Sequence, residues 1–422
     1  MTQPVAPPEE SVGMQASDEA LVSAEPTTAE SSAIERNVVA LGWVAFFGGL
    51  SQDMILPILP LFYRSVLGLD TEFIGLIEGA VMTVVSLMKI GAGYLSDWLG
   101  VRKPVVFAGY ALSALGRFGL AFAASGAAAL GLRLTDGLGK GLKDAPRDAL
   151  VASSAGRRKL GFAFGVQRTL DTLGSVAGPL ITFGLLRVWA DQPNQYRQIF
   201  LVAGLAAVLP LVIIGFAVRE RRTPVNKQRI SFAVLRGPFA GFLVVMLVFT
   251  LGNSSDAFLI LRAQNVGVAA TLIPVVYALF NLVSALTAIP AGHLSDRIGR
   301  RRVIALGWGV YALAYLGFAL AAAPWMIWAL YAFYGLFYSL TEGAAKALVA
   351  ELVPDVNRGG AYGLYSASIG VMALPASIIA GALWERVSPS APFIFGAALA
   401  LVALIGLGFV PTAGPSSSQA SG

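Results

Sequence analysis

GYLSDWLGVRK, running from Gly93 to Lys103, returns 199 residues later as GHLSDRIGRRR, from Gly292 to Arg302. Further pairs fall at similar offsets. Asp136-Gly137 with Lys140 answers Glu342-Gly343 with Lys346, and GFAFG from Gly161 answers GAYG from Gly360. The chain therefore reads as two copies of one unit. Internal symmetry between halves marks secondary transporter folds, in which the substrate site lies near the bilayer midplane between the repeats.

Composition agrees with a membrane setting. The 422 residues are 56% hydrophobic and 13% charged, with a mean hydropathy of +0.71, against roughly 45–50% apolar and 25% charged in soluble domains. The 47 glycines fit helices whose backbones approach closely in lipid. The absence of cysteine excludes disulfides, thiolate metal sites and a Cys nucleophile. With His293 the single histidine, neither a His-based metal centre nor a catalytic triad is expected. No phosphate-binding loop is present, so the chain shows no sign of its own ATP hydrolysis, and no catalytic residue, metal or cofactor is expected. The net charge of +6 raises the question of nucleic acid, but the loop positions of the basic residues assign it to membrane topology.

Outward from the repeated loop, apolar stretches of about 20 residues, enough to cross a bilayer, recur twelve times. They cover 37–63, 72–96, 104–124, 127–149, 160–187, 198–218, 237–261, 268–294, 303–323, 326–352, 360–385 and 390–411. The expected fold is an all-α integral membrane protein of twelve transmembrane helices in two six-helix bundles, 37–218 and 237–411. A basic cytoplasmic linker, 219–236, joins them. Residues 1–36, with seven acidic residues and no apolar period, read as a disordered cytoplasmic tail, and 412–422 as a flexible end. The tail lacks the basic start and short apolar core of a secretory signal, so the first span reads as a retained helix. Loops after even-numbered spans carry seventeen Lys and Arg against five in the opposite loops. The positive-inside rule then places both termini in the cytoplasm of a protein of the cell (inner) membrane.

Within the fourth span, LRLTDGLGKGLKDAPRDALV from Leu132 to Val151 is charged where its neighbours are apolar. At 100° per residue, Arg133, Asp136, Lys140, Lys143, Asp144 and Arg147 share an arc of about 100°. Ionisable residues inside a membrane helix face a protein interior or a wet cavity and pair with one another, which makes this face a functional-site hypothesis. Two plainer readings compete, an amphipathic surface helix and a purely structural ladder of ion pairs.

The Gly-x-Leu-Ser-Asp loop with a basic tail, found twice, resembles the marker of the major facilitator superfamily, and the resemblance covers 37–411. It implies a cytoplasmic latch between the halves, carried by Gly93, Asp97, Arg102 and Lys103 and by Gly292, Asp296, Arg297, Gly299, Arg300 and Arg301. The first copy departs from the pattern at Trp98 and Val101. Arg133-Leu-Thr-Asp136-Gly137 looks like the family's fourth-helix motif, whose arginine is linked to proton coupling. Asp136 stands where Gln is frequent and adds a titratable group. Gly174-Ser-Val-Ala-Gly178-Pro179 resembles the antiporter motif of exporters, although the Gly pair expected after Pro179 is absent. The same residues also suit a close-packing surface with a proline kink. The subgroup resembled is prokaryotic and poorly characterised.

Depth along each span, at 1.5 Å per residue, puts Asp136, Arg168 and Asp171 near the midplane and Lys140, Lys89, Glu342 and Lys346 toward the cytoplasm. Asp53, Glu78 and Asp256 fall toward the outside. Arg133, Asp136, Arg168 and Asp171 are expected in one network, with two local salt bridges as the alternative. Asp53 and Asp256, on the first span of each half, are candidates for proton or substrate contact or for a wet outer mouth. His293 reads as a loop residue. The aromatic residues from Trp325 to Tyr338 suit an interfacial belt, or in Tyr334 and Tyr338 a cavity wall. The leading expectation is proton-coupled export of a small solute by alternating access, with protons, the solute and the bilayer as partners and a monomeric state. Uptake of an anionic or polar solute by symport, suggested by excess cations on spans two, four and five, stands as the alternative. A non-transporting receptor and a membrane-embedded enzyme are the other classes.

Overall fold

The computed structural model describes residues 28–155, 160–190, 192–220, 237–354 and 357–410. The expectations for the N-terminal tail up to residue 27, for linker residues 221–236 and for the C-terminal tail lie outside these residues. The described residues form fifteen α-helices and no strand. They are α1 (Thr28–Ile55), α2 (Leu59–Ser65), α3 (Thr71–Leu99), α4 (Lys103–Leu120), α5 (Gly126–Ala155), α6 (Leu160–Val188), α7 (Gln195–Ala206) and α8 (Val208–Phe216) in the first half. In the second half are α9 (Pro238–Gly252), α10 (Ala257–Asn265), α11 (Ile273–Ile298), α12 (Arg300–Leu320), α13 (Pro324–Leu352), α14 (Arg358–Arg386) and α15 (Ala391–Phe409).

Three of the expected spans are broken rods. Pro57, which has no N–H to donate, separates α1 from α2. Pro210 follows the α7–α8 break at Ala207. Between α9 and α10 the chain unwinds over Asn253-Ser-Ser-Asp256, polar side chains that compete with the helix for backbone groups. Ser255 Oγ accepts from the Ala257 N–H at 3.2 Å there. Joined across these breaks, nine passages among the described residues are long and apolar enough to cross a membrane. Helices α4, α5 and α13 complete the bundle but fall short of that apolarity, so composition alone does not reach the count of twelve. Helix α5 also runs on through Pro146 to Ala155, which puts Arg147, read as a loop residue in the topology count, inside a helix.

The repeated loops share a backbone requirement. Gly100 and Gly299, 199 residues apart, both have positive φ, +65° and +91°, a conformation glycine adopts without steric cost. Each turns the chain between two helices of its half.

Helix α1 packs along α6, and α5 against α3 and α4. In the second half α13 lies on α11 and α12, and α15 on α9 and α12. The halves meet mainly along α3 with α14 and α6 with α11. Gly174 and Gly178 make the α1–α6 approach possible. A Cβ at either would stand 2.2 Å from the Phe46 carbonyl oxygen or 2.5 Å from that of Leu50.

Across the halves, hydrogen bonds and ion pairs collect at the end bearing the α2–α3 loop. Thr71 Oγ1 donates to Glu385 at 2.6 Å, Arg386 Nε donates to Glu72 at 2.7 Å, and Arg64 lies 3.6 Å from Glu385. Further along, Thr83 Oγ1 donates to the Gly370 carbonyl at 2.6 Å, and Asn281 Nδ2 to the Ser175 carbonyl at 2.9 Å.

Candidate functional site

Between the halves lies a cavity of about 460 Å³. Eight expected residues line it: Asp53, Glu78, Arg133, Asp136, Lys140, Arg168, Asp256 and Glu342. Asp171 and Lys346 are not among the lining residues. Gly137 and Gly141 of α5 lie against Val81, Val85 and Met88 of α3, and Glu78 meets Arg133 directly.

A buried network of four charges forms the wall of the first half. Arg133 Nη1 donates to Asp136 Oδ2 at 2.9 Å and its Nη2 to Glu78 at 3.1 Å. Arg117 Nε donates to Asp136 Oδ1 at 3.0 Å. Arg117 Nη1 continues to the Gly48 carbonyl and to Ser51 Oγ, so the network joins α1, α3, α4 and α5. None of the four side chains belongs to a residue more than 8% exposed. Two arginines against two carboxylates leave it electrically balanced, the condition under which such groups are tolerated away from water. Two N–H donors, Arg117 Nη2 and Arg133 Nε, nevertheless have no acceptor among the described residues.

Arg117 is the member of this network that the sequence pattern does not single out. Its signal was the one used elsewhere, a lone charge inside an apolar span, in SALGRFGLAF. The expected network of Arg133, Asp136, Arg168 and Asp171 is not what forms. The i,i+3 spacing suggests Arg168 with Asp171, but Arg168 lies at the cavity mouth, 3.8 Å from Glu342 of the opposite half. Lys346 also pairs with Glu342, at 2.9 Å. Asp171 instead packs on α1, where a Cβ at Gly49 would stand 3.2 Å from its Oδ1. Glu78, which has no partner in its own turn, finds one on α5.

The cations that suggested an anionic solute are mostly occupied. Lys89 is 3.0 Å from Asp144, Lys143 is 3.6 Å from Asp144 and sits 4.5 Å above the Tyr110 ring, and Arg147 donates to Tyr110 Oη at 3.3 Å. Of the cavity-lining cations, Lys140 makes no ion pair with a described residue.

The second half supplies a different wall. Asp256 stands at the α9–α10 break and accepts from Tyr334 Oη at 2.7 Å. Tyr277, Phe280 and Tyr338 line the cavity beside it, whereas Tyr334 is buried behind the wall.

At the opposite end from the bonds of Thr71, Glu72 and Arg64 with Glu385 and Arg386, the repeated basic loops bond within their own halves. Lys103 Nζ donates to the carbonyls of Gly215 and Val218, Arg102 Nη1 to that of Ala149, and the Glu220 carboxylate accepts from the N–H groups of Arg102 and Lys103. In the second copy Arg300 pairs with Asp296 and Glu351, and Arg301 donates to the Gly408 carbonyl. The contacts described for these basic residues thus run to the last or the fourth span of their own half. The Asp97 side chain lies outside the described part. Gly93 approaches Ala145, Gly292 has open space around it, and His293 and Arg297 are exposed.

Comparison with known proteins follows the same lines. The family description "Major Facilitator Superfamily" matches residues 41–261 and 239–422. An uncharacterised MFS-type transporter of Methanocaldococcus jannaschii is 36% identical over 386 residues, covering 89% of this chain and 95% of the relative. A multi-drug resistance efflux pump PmrA homologue of Lactococcus lactis is 26% identical over 366 residues, covering 82% and 88%. The solved nucleoside transporter NupG superposes with a TM-score of 0.71 at 14% identity, covering 88% of this chain and 98% of that one. The two-half repeat, the helical architecture and these matches agree, and the chain belongs to the Major Facilitator Superfamily of multi-pass membrane transporters.

Proposed function

We propose that this transporter exports a small solute in exchange for protons, with the Glu78–Arg133–Asp136–Arg117 network as its proton-linked element. The observation that carries the reading is Asp136, one buried carboxylate held by two arginines on different helices. Neutralising it releases both guanidiniums at once. Arg133 then has Glu78 of α3 as its remaining ionic partner, and α3 is the helix that meets α14 across the halves. A change at Asp136 is thereby felt at the surface on which the halves rock.

The basic end is assigned to the cytoplasm by the Lys and Arg count, so the clasp of Thr71, Glu72 and Arg64 with Glu385 and Arg386 closes the outer end. The protein is read as inward-facing and acting as a monomer in the cell membrane. Relatives described as multi-drug efflux pumps and the Gly174–Pro179 surface support export. The pairing of Lys89, Lys143 and Arg147 weakens the argument for an anionic solute and leaves Lys140 as its main support among the described residues.

The test uses inside-out vesicles energised to an acid lumen, with a lumenal pH dye and a panel of metabolites and drug-like cations. Proton antiport predicts a compound-dependent loss of lumenal acidity. Folded protein that responds to no member of the panel argues against this reading.

A further inference from the structure

We propose that the second-half wall of the cavity recognises an organic cation with an aromatic or apolar body, its positive group held by Asp256 and its body laid against Tyr277, Phe280 and Tyr338. This deepens the transport reading by naming the substrate class, and it assigns the substrate to one half and the proton-linked network to the other.

The charges of the cavity lead to it. Glu78 and Asp136 are answered by Arg133 and Arg117, and Glu342 by Lys346 and Arg168. Asp53 shares its half of the cavity lining with Lys140. Asp256 has no cationic partner among the described residues. Its hydrogen bond comes from Tyr334, a neutral donor, at 2.7 Å. That bond fixes the carboxylate beside the cavity without neutralising it. No Lys, Arg or His of the second half lines the cavity among the described residues, so an anion would find no counter-charge on this wall. A neutral solute would leave the carboxylate unanswered in a partly desolvated place.

The rings beside Asp256 form one continuous patch. Tyr334 and Tyr338 have centroids 5.4 Å apart, Phe280 and Tyr338 5.2 Å, nearly edge-on, and Tyr277 and Phe280 5.6 Å. Aromatic faces attract a cation through their quadrupole and cover an apolar body by contact. A carboxylate fixed at the edge of such a patch discriminates by charge as well as shape. The volume of about 460 Å³ lies within the usual range of small-molecule sites.

The test measures equilibrium binding of methyltriphenylphosphonium to the purified full-length protein in lipid nanodiscs near neutral pH, with empty nanodiscs subtracted. Triphenylphosphine oxide, which keeps the three rings and lacks the charge, is measured separately. The cation is expected to bind saturably and at least about tenfold more tightly than the oxide, the scale of a charge-assisted contact. Asp256→Asn is expected to lose about tenfold or more, Asp256→Glu to recover most of it, and Tyr338→Leu to lose several-fold. Equal binding of cation and oxide, no binding of the cation, or an unchanged affinity in Asp256→Asn overturns the proposal. If Asp256→Asn does not fold, the cation–oxide pair on wild type and Tyr338→Leu still decide. No proton gradient is present, so the two readings fail separately. Intact binding without compound-driven proton movement overturns only the coupling, and proton movement driven by other solutes without cation binding overturns only the substrate class.

Discussion

Asp136→Asn is expected to abolish compound-driven proton movement in acid-lumen vesicles, reducing it by at least about tenfold, while the protein still folds and inserts. The side chain keeps its size, and its remaining oxygen still accepts one of the two hydrogen bonds now made by Arg117 and Arg133. Its amide nitrogen, however, faces a guanidinium and can neither accept nor take up a proton. The stability cost should be about 1–3 kcal/mol, that of leaving a buried donor unsatisfied, seen as a lower melting temperature by tryptophan fluorescence. Proton movement at the wild-type level in Asp136→Asn would remove this residue from the coupling scheme. Loss of transport accompanied by gross unfolding would assign the network a structural role instead.

The second large effect concerns Arg117. Arg117→Leu removes one of the two cations that hold Asp136, together with the donor to Gly48 and Ser51. Breaking one side of a buried ion pair costs about 3–5 kcal/mol, because a charge is left without compensation. Arg117→Leu combined with Asp136→Leu restores neutrality, since Arg133 and Glu78 still pair. The double variant is therefore expected to melt above the Arg117→Leu single variant, while remaining inactive. Additive losses in the double variant would mean that packing around Arg117, and not its charge, stabilises this region. The comparison needs all three variants because neighbouring effects of this kind do not add.

Much of the architecture was legible in the primary structure because its signals are long. Apolar runs of bilayer length and an 11-residue motif repeated at 199 residues survive errors of a few positions. The helix breaks were harder to read. Asn253-Ser-Ser-Asp256 is a visibly polar run, but it is short and flanked by apolar residues, so the pattern reads as a single span. The cavity charges were legible as a set, since an ionisable residue within an apolar span stands out at Asp53, Glu78, Asp136 and Asp256 alike. Their partners were not. Spacing along one helix suggests Arg168 with Asp171, yet the pairs that form cross between helices, as with Arg133 and Glu78, or between halves, as with Arg168 and Glu342. Those pairings depend on rotation of each helix about its axis, which packing decides. The basic loops likewise look like a latch in sequence, while their bonding in one conformation depends on which carbonyls and carboxylates are in reach.

The proposed rocking of the halves, biased by Asp136, can be measured without knowing the substrate. The chain has no cysteine, so spin labels can be placed in pairs on an otherwise native background. One pair, Val66→Cys with Val387→Cys, reports the outer end, and another, Trp98→Cys with Gly359→Cys, reports the basic end. All four positions are exposed. Distance distributions from double electron–electron resonance are then recorded at acid and alkaline pH in wild-type and Asp136→Asn backgrounds. The predicted result is a reciprocal change in the wild-type background, one pair lengthening as the other shortens when pH is changed, and the loss of that response in Asp136→Asn. Distances that do not respond to pH, that lengthen together at both ends, or that respond equally in Asp136→Asn would contradict proton-biased alternating access.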